Sequence, residues 1–366
     1  MKRTIELWTS LVAPGSSQEP RGIAARARRL EADGWSGAVY SDSQLLAAEA
    51  FSVLMLCAAT TTRLKLATGT SNPATRHPSV IASAVAAVQV ASNGRMSLSI
   101  GRGDSSLAYI GASPVPLAYF ERAVVMLQQY LRGEGVPMAE AAAMLTGAPT
   151  GFKDLAIGSA PETSQLKWLP SDYCKPELEV AATGPKVIAL AARHADCVSF
   201  ALGANVERLK WSIGEARQEM ERIGRDPASL RFGAFIPLYP HPDLAYARQI
   251  SQGMVASMAR FSIMNKKVVG PVTEEERVNL ERVASTYDMG KHGDNASKQS
   301  QALDADFIEH FGLIGDPQGC VDRILEIIDL GIDKLIFWTA DTEGRPGESY
   351  QLAAGDVMPK VMAAIR

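Results

Sequence analysis

The sequence predicts a (β/α)₈ barrel of the TIM type, with insertions after its fourth and seventh strands. Three observations lead there. Strand-like and helix-like segments alternate along the 366 residues until eight pairs are complete, the pattern of a parallel sheet covered by helices. The rhythm lapses twice, at about 133–177 and 263–305, where polar, Gly- and Pro-containing sequence replaces the periodic pattern. A doubly wound open sheet needs a Gly-rich turn after its first strand, and "WTSLVAPGSSQEP" contains no G-x-G. We therefore expect one barrel domain spanning residues 1–366.

The elements follow in order. "RTIELWT" (3–9) alternates as a strand, and "PRGIAARARRLEADG" (20–34) is a helix opened by Pro and stopped by Gly34. Strands over 36–41, 63–69 and 95–101 are each followed by a helix, over 45–60, 78–92 and 117–133. After the first insertion come "LEVAA" (178–182), a helix from Pro185 to His194, "DCVSFA" (196–201) and the helix beginning "VERLKW". The seventh strand is 229–238, with a helix after it. Beyond the second insertion, the helix "PQGCVDRILEIIDLG", the eighth strand at 333–339 and a helical C-terminus from about 350 complete the set.

Composition narrows the function classes. A net charge of −3 gives no electrostatic reason to expect nucleic acid or an anionic membrane as partner. The longest apolar runs fall short of the ~20 residues of a membrane span, and the N-terminus lacks the apolar core of a secretory signal. The four cysteines are scattered without C-x-x-C, so reduced thiols and a cytoplasmic location are expected. No histidines share helical ligand spacing and no H-E-x-x-H occurs, so no metal site is expected. A serine nucleophile is not expected either, since no G-x-S-x-G elbow appears.

In a barrel the loops at the C-terminal ends of the strands line the active-site mouth. Here they are polar and small: "YSDSQ" after strand 2, "ATGTSNPATRHP" after strand 3, "AATGPK" after strand 5 and "FALGAN" after strand 6. After strand 4 stands "GRGDSS". With Ser at position 106 it fails the G-x-G-x-x-G dinucleotide pattern. Gly101 and Gly103 allow close approach of backbone to a flat ligand, with Asp104, Ser105 and Ser106 as polar contacts; a tight turn capped by Asp104 is the plainer alternative.

Glu6 draws notice on its own. Ile5 and Leu7 suit the helix-facing side of strand 1, which turns Glu6 and Trp8 into the lumen. A carboxylate there is costly unless paired or functional, and burial would let it hold a proton near neutral pH. The alternative is a structural ion pair with Arg95 or Lys65. Thr183 and Gly184 open a helix with Lys186 in its first turn, so that end is either an anion site or a simple cap. Arg76 and His77 either touch a ligand or cap the third helix, and His292, in "YDMGKHG", is a further candidate for facing substrate.

These motifs together resemble the luciferase-like flavin- and F420-dependent oxidoreductases, in the branch near the methylenetetrahydromethanopterin reductases. The carriers are "SDSQ" (41–44), "ATGTSNPATRHPSV" (67–80), "GRGDSSLAYIG" (101–111), "EVAATGPKVIALAARHAD" (179–196), "YDMGKHG" (287–293) and "GDPQGCVDRILEIIDLGIDKLIFW" (315–338). The resemblance implies the deazaflavin F420 as cofactor and hydride transfer to or from a small organic substrate. It leaves open an FMN-dependent monooxygenase supplied by a separate flavin reductase, and it implies a homodimer. By resemblance Glu6 is the catalytic acid beside the reactive carbon, Gly69–Thr70 is a bulge with a cis peptide backing the ring, and Asn72 holds that bulge. The cofactor would further touch Ser41, Asp42, Gly101, Gly103, Asp104 and Ser105. Its phosphate would lie at Ala182, Thr183, Gly184 and Lys186, with Gly203 and Ala204 beside it. One departure stands out: many relatives carry Asp-His at the end of strand 2, whereas Asp42 is followed by Ser43, leaving that histidine's role unfilled or taken by Gln44.

Overall fold

The computed structural model describes residues 3–12, 19–145, 147, 152, 155–339 and 347–365. Eight parallel strands close into a barrel: β1 (Glu6–Ser10), β2 (Gly37–Tyr40), β3 (Lys65–Thr68), β4 (Met96–Ile100), β5 (Glu177–Ala182), β6 (Cys197–Phe200), β7 (Arg231–Pro240) and β8 (Lys334–Trp338). Consecutive strands pair in parallel, and β8 pairs with β1 to remove both edges. The outer layer holds α1 (Pro20–Ala32), α2 (Ala50–Thr60), α3 (Pro78–Ala91), α4 (Leu117–Leu131), α5 (Pro185–His194), α6 (Val206–Ile223) and α7 (Leu244–Ala259).

Three details differ from the sequence expectation. The helix expected over 45–60 begins only at Ala50, where the Glu49 carboxylate accepts the Ser52 N–H at 2.7 Å and caps it; Leu45 before it is 60% exposed. The second insertion contains α8 (Glu274–Thr286), started by a capping box between Thr273 and Glu276. Leu313–Gly315 forms an extra short strand on the upper half of β7, ahead of α9 (Pro317–Asp329). Among the described residues no helix is long and apolar enough to cross a membrane.

Strand alternation sorts the side chains into two cores. Leu7, Tyr40, Leu66, Leu98, Val180 and Phe337 face the helices. Trp8, Val39, Ala67, Phe235 and Ile336 fill the lumen. Space there is tight: a Cβ on Gly37 would sit 2.5 Å from the Trp8 ring, and one on Gly233 would sit 2.2 Å from Ser199 Oγ. Glycine at these two positions lets the wider side chains opposite cross the lumen.

Below Trp8, at the N-terminal end of the barrel, the lumen is charged. Glu6 accepts from Lys65 Nζ at 2.5 Å and from Trp8 Nε1 at 2.9 Å, and lies 3.4 Å from the Arg231 guanidinium. Arg231 donates to Glu177 at 2.8 Å; Glu177 lies 3.7 Å from Lys334 Nζ, and Lys334 in turn bonds Glu179. Cation and anion alternate along the whole chain from Lys65 to Glu179. The Lys334 ammonium, fully buried and 4.1 Å from the Trp8 ring centroid, stands with both carboxylates where Glu177, Glu179 and Cys197 converge. Burial alone would lower its pKa, but Glu179 and Glu177 outweigh that and raise it.

Removing one member of a buried ion network costs about 3–5 kcal/mol because its partners stay buried and unpaired. We expect Lys334→Met to destabilise by that amount in urea unfolding. Burial raises the Glu6 pKa, yet Arg231, Lys65 and the Trp8 N–H together bring it below the usual carboxylate value. Its contribution is therefore present above pH ~4.5 and lost as pH falls through the depressed folded value. Glu6→Gln should flatten the acid limb of the stability profile; an unchanged limb would show that Glu6 is not a stabilising ion.

Candidate active site

The opposite end of the barrel carries the loops. The Gly69–Thr70 peptide after β3 is cis, and a Cβ on Gly69 would meet Val39 at 2.8 Å. Asn72 organises the turn that follows. Its Oδ1 accepts the Ala74 and Thr75 N–H groups at 3.0 and 3.1 Å, while Nδ2 donates to Ser106 Oγ at 3.0 Å in the loop after β4. The β2 loop joins the same cluster. Ser43 and Ser105 hydroxyls share a 2.8 Å hydrogen bond, Gln44 donates to the Ser106 carbonyl at 2.8 Å, and Ser71 Oγ donates to Asp42 at 2.7 Å. Buried Asp42 also accepts from Arg76, whose second nitrogen bonds Glu49.

Asp104 does not cap a turn. It forms an ion pair with Arg260 at the end of α7, and Arg260 lies 4.8 Å from the Tyr287 ring centroid. Tyr287 Oη is 2.6 Å from His292 Nδ1, and Tyr109 Oη donates to the Met289 carbonyl at 2.8 Å. The "GRGDSSLAYIG" and "YDMGKHG" motifs thus meet across the rim, bridged by Arg260. Arg260 had no sequence signal, since a single arginine closing a helix is common.

Several expected residues stand elsewhere. Glu6 is the first residue of β1, four positions before Ser10, so it lies about 13 Å along the strand from the rim. Its lumen-facing side is as the alternation implied, but its ion pair with Lys65 belongs to the floor, and the proton-handling role expected of it has no geometric basis. Ala182 faces the helix core, and the inward neighbour is Ala181. Gly203 is buried against Phe311, and the Ala204 N–H is spent on the Phe311 carbonyl at 2.7 Å, so neither is free for a phosphate. His77 caps α3: Nδ1 accepts the Ser79 N–H, which leaves Nε2–H to donate to the Ala141 carbonyl at 2.9 Å.

The remaining candidates converge on the rim. Ser41, Asp42, Gly69, Thr70, Gly101, Gly103, Asp104 and Ser105 follow the ends of β2, β3 and β4. Thr183, Gly184 and Lys186 stand at the start of α5, where no side chain caps the helix and a Cβ on Gly184 would meet nothing within 4 Å. Pro185 has no N–H there, and the Val187 and Ile188 N–H groups donate to the Gly184 carbonyl at 3.1 and 3.0 Å, so what that end offers an anion is the Lys186 N–H and its exposed ammonium.

The sequence matches the profile of the luciferase-like monooxygenases over residues 4–334. The chain belongs to this family. It is an oxidoreductase with the family's barrel. It is 25% identical over 293 residues to the 5,10-methylenetetrahydromethanopterin reductase of Methanolobus tindarius, covering 79% of this chain and 81% of that one. It is 25% identical over 316 residues to the F420-dependent glucose-6-phosphate dehydrogenase of Beutenbergia cavernae, covering 84% and 82%. The solved coenzyme F420-dependent tetrahydromethanopterin reductase of Methanopyrus kandleri superposes with a TM-score of 0.71 at 21% identity, covering 98% and 99%.

In this luciferase-like enzyme crowding by protein depresses the His292 pKa below 6.5; Asp104 pulls it back up and Arg260 pushes it down. Arg260→Gln removes the opposing cation and frees Asp104, so the His292 imidazole should titrate at higher pH in an NMR pH series. A fall, or no change, would contradict the arrangement described.

Proposed function

We propose that the protein is an F420-dependent oxidoreductase that moves a hydride between the deazaflavin and a small organic substrate. The observation that carries this is the pairing of a small-residue rim (Gly69, Gly101, Gly103) over an apolar lumen with an open helix N-terminus at Gly184. A flat ring and an anionic tail suit those two features. Val39, Ala67 and Ile336 lie beneath the rim as an apolar bed against which Ala181 and Ala201 pack, and the Lys186 N–H and ammonium at the start of α5 would hold the phosphate. F420, when bound, supplies a hydride-accepting carbon with little reactivity toward oxygen. The protein's part is to orient the substrate, exclude water and manage a proton. The F420-dependent relatives support this choice.

The test is a titration of the cofactor-free protein with F420 and with FMN, followed by absorbance. F420 should bind at least about tenfold more tightly, a difference of about 1.4 kcal/mol. FMN binding with negligible F420 binding would reverse the reading in favour of a monooxygenase fed by a separate flavin reductase. Lys186→Glu should weaken F420 binding and leave the thermal midpoint in place.

A homodimer is part of the same reading. α2 and α3 pack together, and neither contains a charged residue, yet Val80 is 53% exposed and Met55, Leu56, Ala84 and Ala87 are only half-buried. Helices this apolar are ordinarily covered, and a second copy would cover them symmetrically. Light scattering should give twice the chain mass, and Ala84→Arg should give the monomer.

A further inference from the structure

The second insertion brings to the rim a hydrogen-bond chain whose direction is set from one end. Ser257 in α7 donates its Oγ–H to the Gly253 carbonyl at 2.9 Å, an acceptor only. Its oxygen also receives the Gly293 N–H at 3.1 Å. Ser257 therefore has no proton left to give, and the Tyr287 hydroxyl donates to it at 3.3 Å. With that proton committed, Tyr287 Oη accepts from His292 Nδ1–H at 2.6 Å. Burial raises the Tyr287 pKa more than Ser257 and Arg260 lower it, so the phenol stays protonated.

This order leaves the lone pair of His292 on Nε2. No described residue bonds Nε2, and the imidazole is exposed. The other rim groups that could act as a base are committed. Asp42 holds Arg76 and Ser71, Asp104 holds Arg260, and His77 has both nitrogens bonded. The charged and titratable groups that face His292 are Asp104, Arg260 and Tyr287. Asp104 favours the imidazolium as it forms, while the surrounding protein, more than Arg260, favours the neutral resting ring.

We infer that His292 Nε2 is the base that removes the hydroxyl proton of an alcohol substrate, and that Tyr287 is the residue that positions it. The inference rests on the deazaflavin reading above. In the balanced step the O–H bond breaks and its proton joins Nε2, turning neutral imidazole into imidazolium. The C–H bond on the same carbon breaks, and its hydride carries two electrons to oxidised F420. The C–O bond becomes a carbonyl, and the imidazolium returns its proton to solvent.

The experiment follows oxidised F420 by absorbance with 2-propanol, cyclohexanol and glucose 6-phosphate, in the wild type, His292→Gln and Tyr287→Phe. At least one alcohol should reduce F420. His292→Gln should keep F420 affinity within about twofold and lose about 100-fold or more in kcat. The acid limb of the wild-type rate profile, below pH about 6.5, should vanish with it. ¹⁵N NMR of the cofactor-free protein should show His292 protonated on Nδ1, shifting to mixed tautomers in Tyr287→Phe. Three results would each overturn the inference: a lone pair on Nδ1, His292→Gln turnover within about threefold of wild type, or no alcohol oxidation although F420 binds. Failure of F420 to bind would instead remove the deazaflavin reading, and this assignment with it.

Discussion

The alternating ion chain across the barrel floor is the constraint on which the rest depends. A closed barrel of this size must fill its lumen, and here the lower part is filled with Lys65, Glu6, Arg231, Glu177, Lys334 and Glu179 rather than with apolar side chains. Each ion has an opposite neighbour on either side or at the chain's end, so desolvation is offset only while the set is complete. Trp8 lies over this layer, receiving the Lys334 ammonium on its face and donating its N–H to Glu6. The floor is thereby closed to chemistry. A small cavity of about 150 Å³ between Glu6, Lys65, Arg95 and Lys175 remains at that end, and its charges are already paired: Glu6 with Lys65, Lys175 with Asp196, and Arg95 with backbone carbonyls.

Chemistry is therefore left to the other rim, where the loops stabilise each other before any ligand is present. The β2, β3 and β4 loops share the hydrogen bonds of Asn72, Ser105, Ser106 and Asp42. The β4 loop is then tied to α7 and the second insertion through Asp104, Arg260 and Tyr109. Preorganisation of this kind reduces the ordering cost of binding a flat cofactor. The second insertion is part of that network: its Tyr287 ring lies against Arg260, and its Tyr287 hydroxyl contacts His292.

Much of the layout was legible because it rests on periodicity. Alternating patterns marked all eight barrel strands within a few residues, and Pro and Gly marked the ends of α1, α3 and α4. Glu6 shows the limit. Alternation gives the face of a strand on which a side chain lies but not its height in the barrel, and the height decides between a floor ion and a rim acid. The helix Glu274–Thr286 was concealed by its charged composition, although its Thr273-x-x-Glu276 start is a capping-box signature. Ala204 looked free as sequence, and only the approach of Phe311, which follows the second insertion, occupies its N–H.

The sequence by itself determined the barrel, the places of its two insertions and the small polar character of the rim, since all of these follow from local pattern and turn chemistry. Which charged residues meet was decided only by tertiary structure. Asp104, Arg260, Tyr287 and His292 come from segments far apart in the chain, and closure of the barrel brings them to one side. The same closure carries Glu6 away from them. Long-range electrostatic pairing depends on distances through space, and no spacing along the chain encodes those.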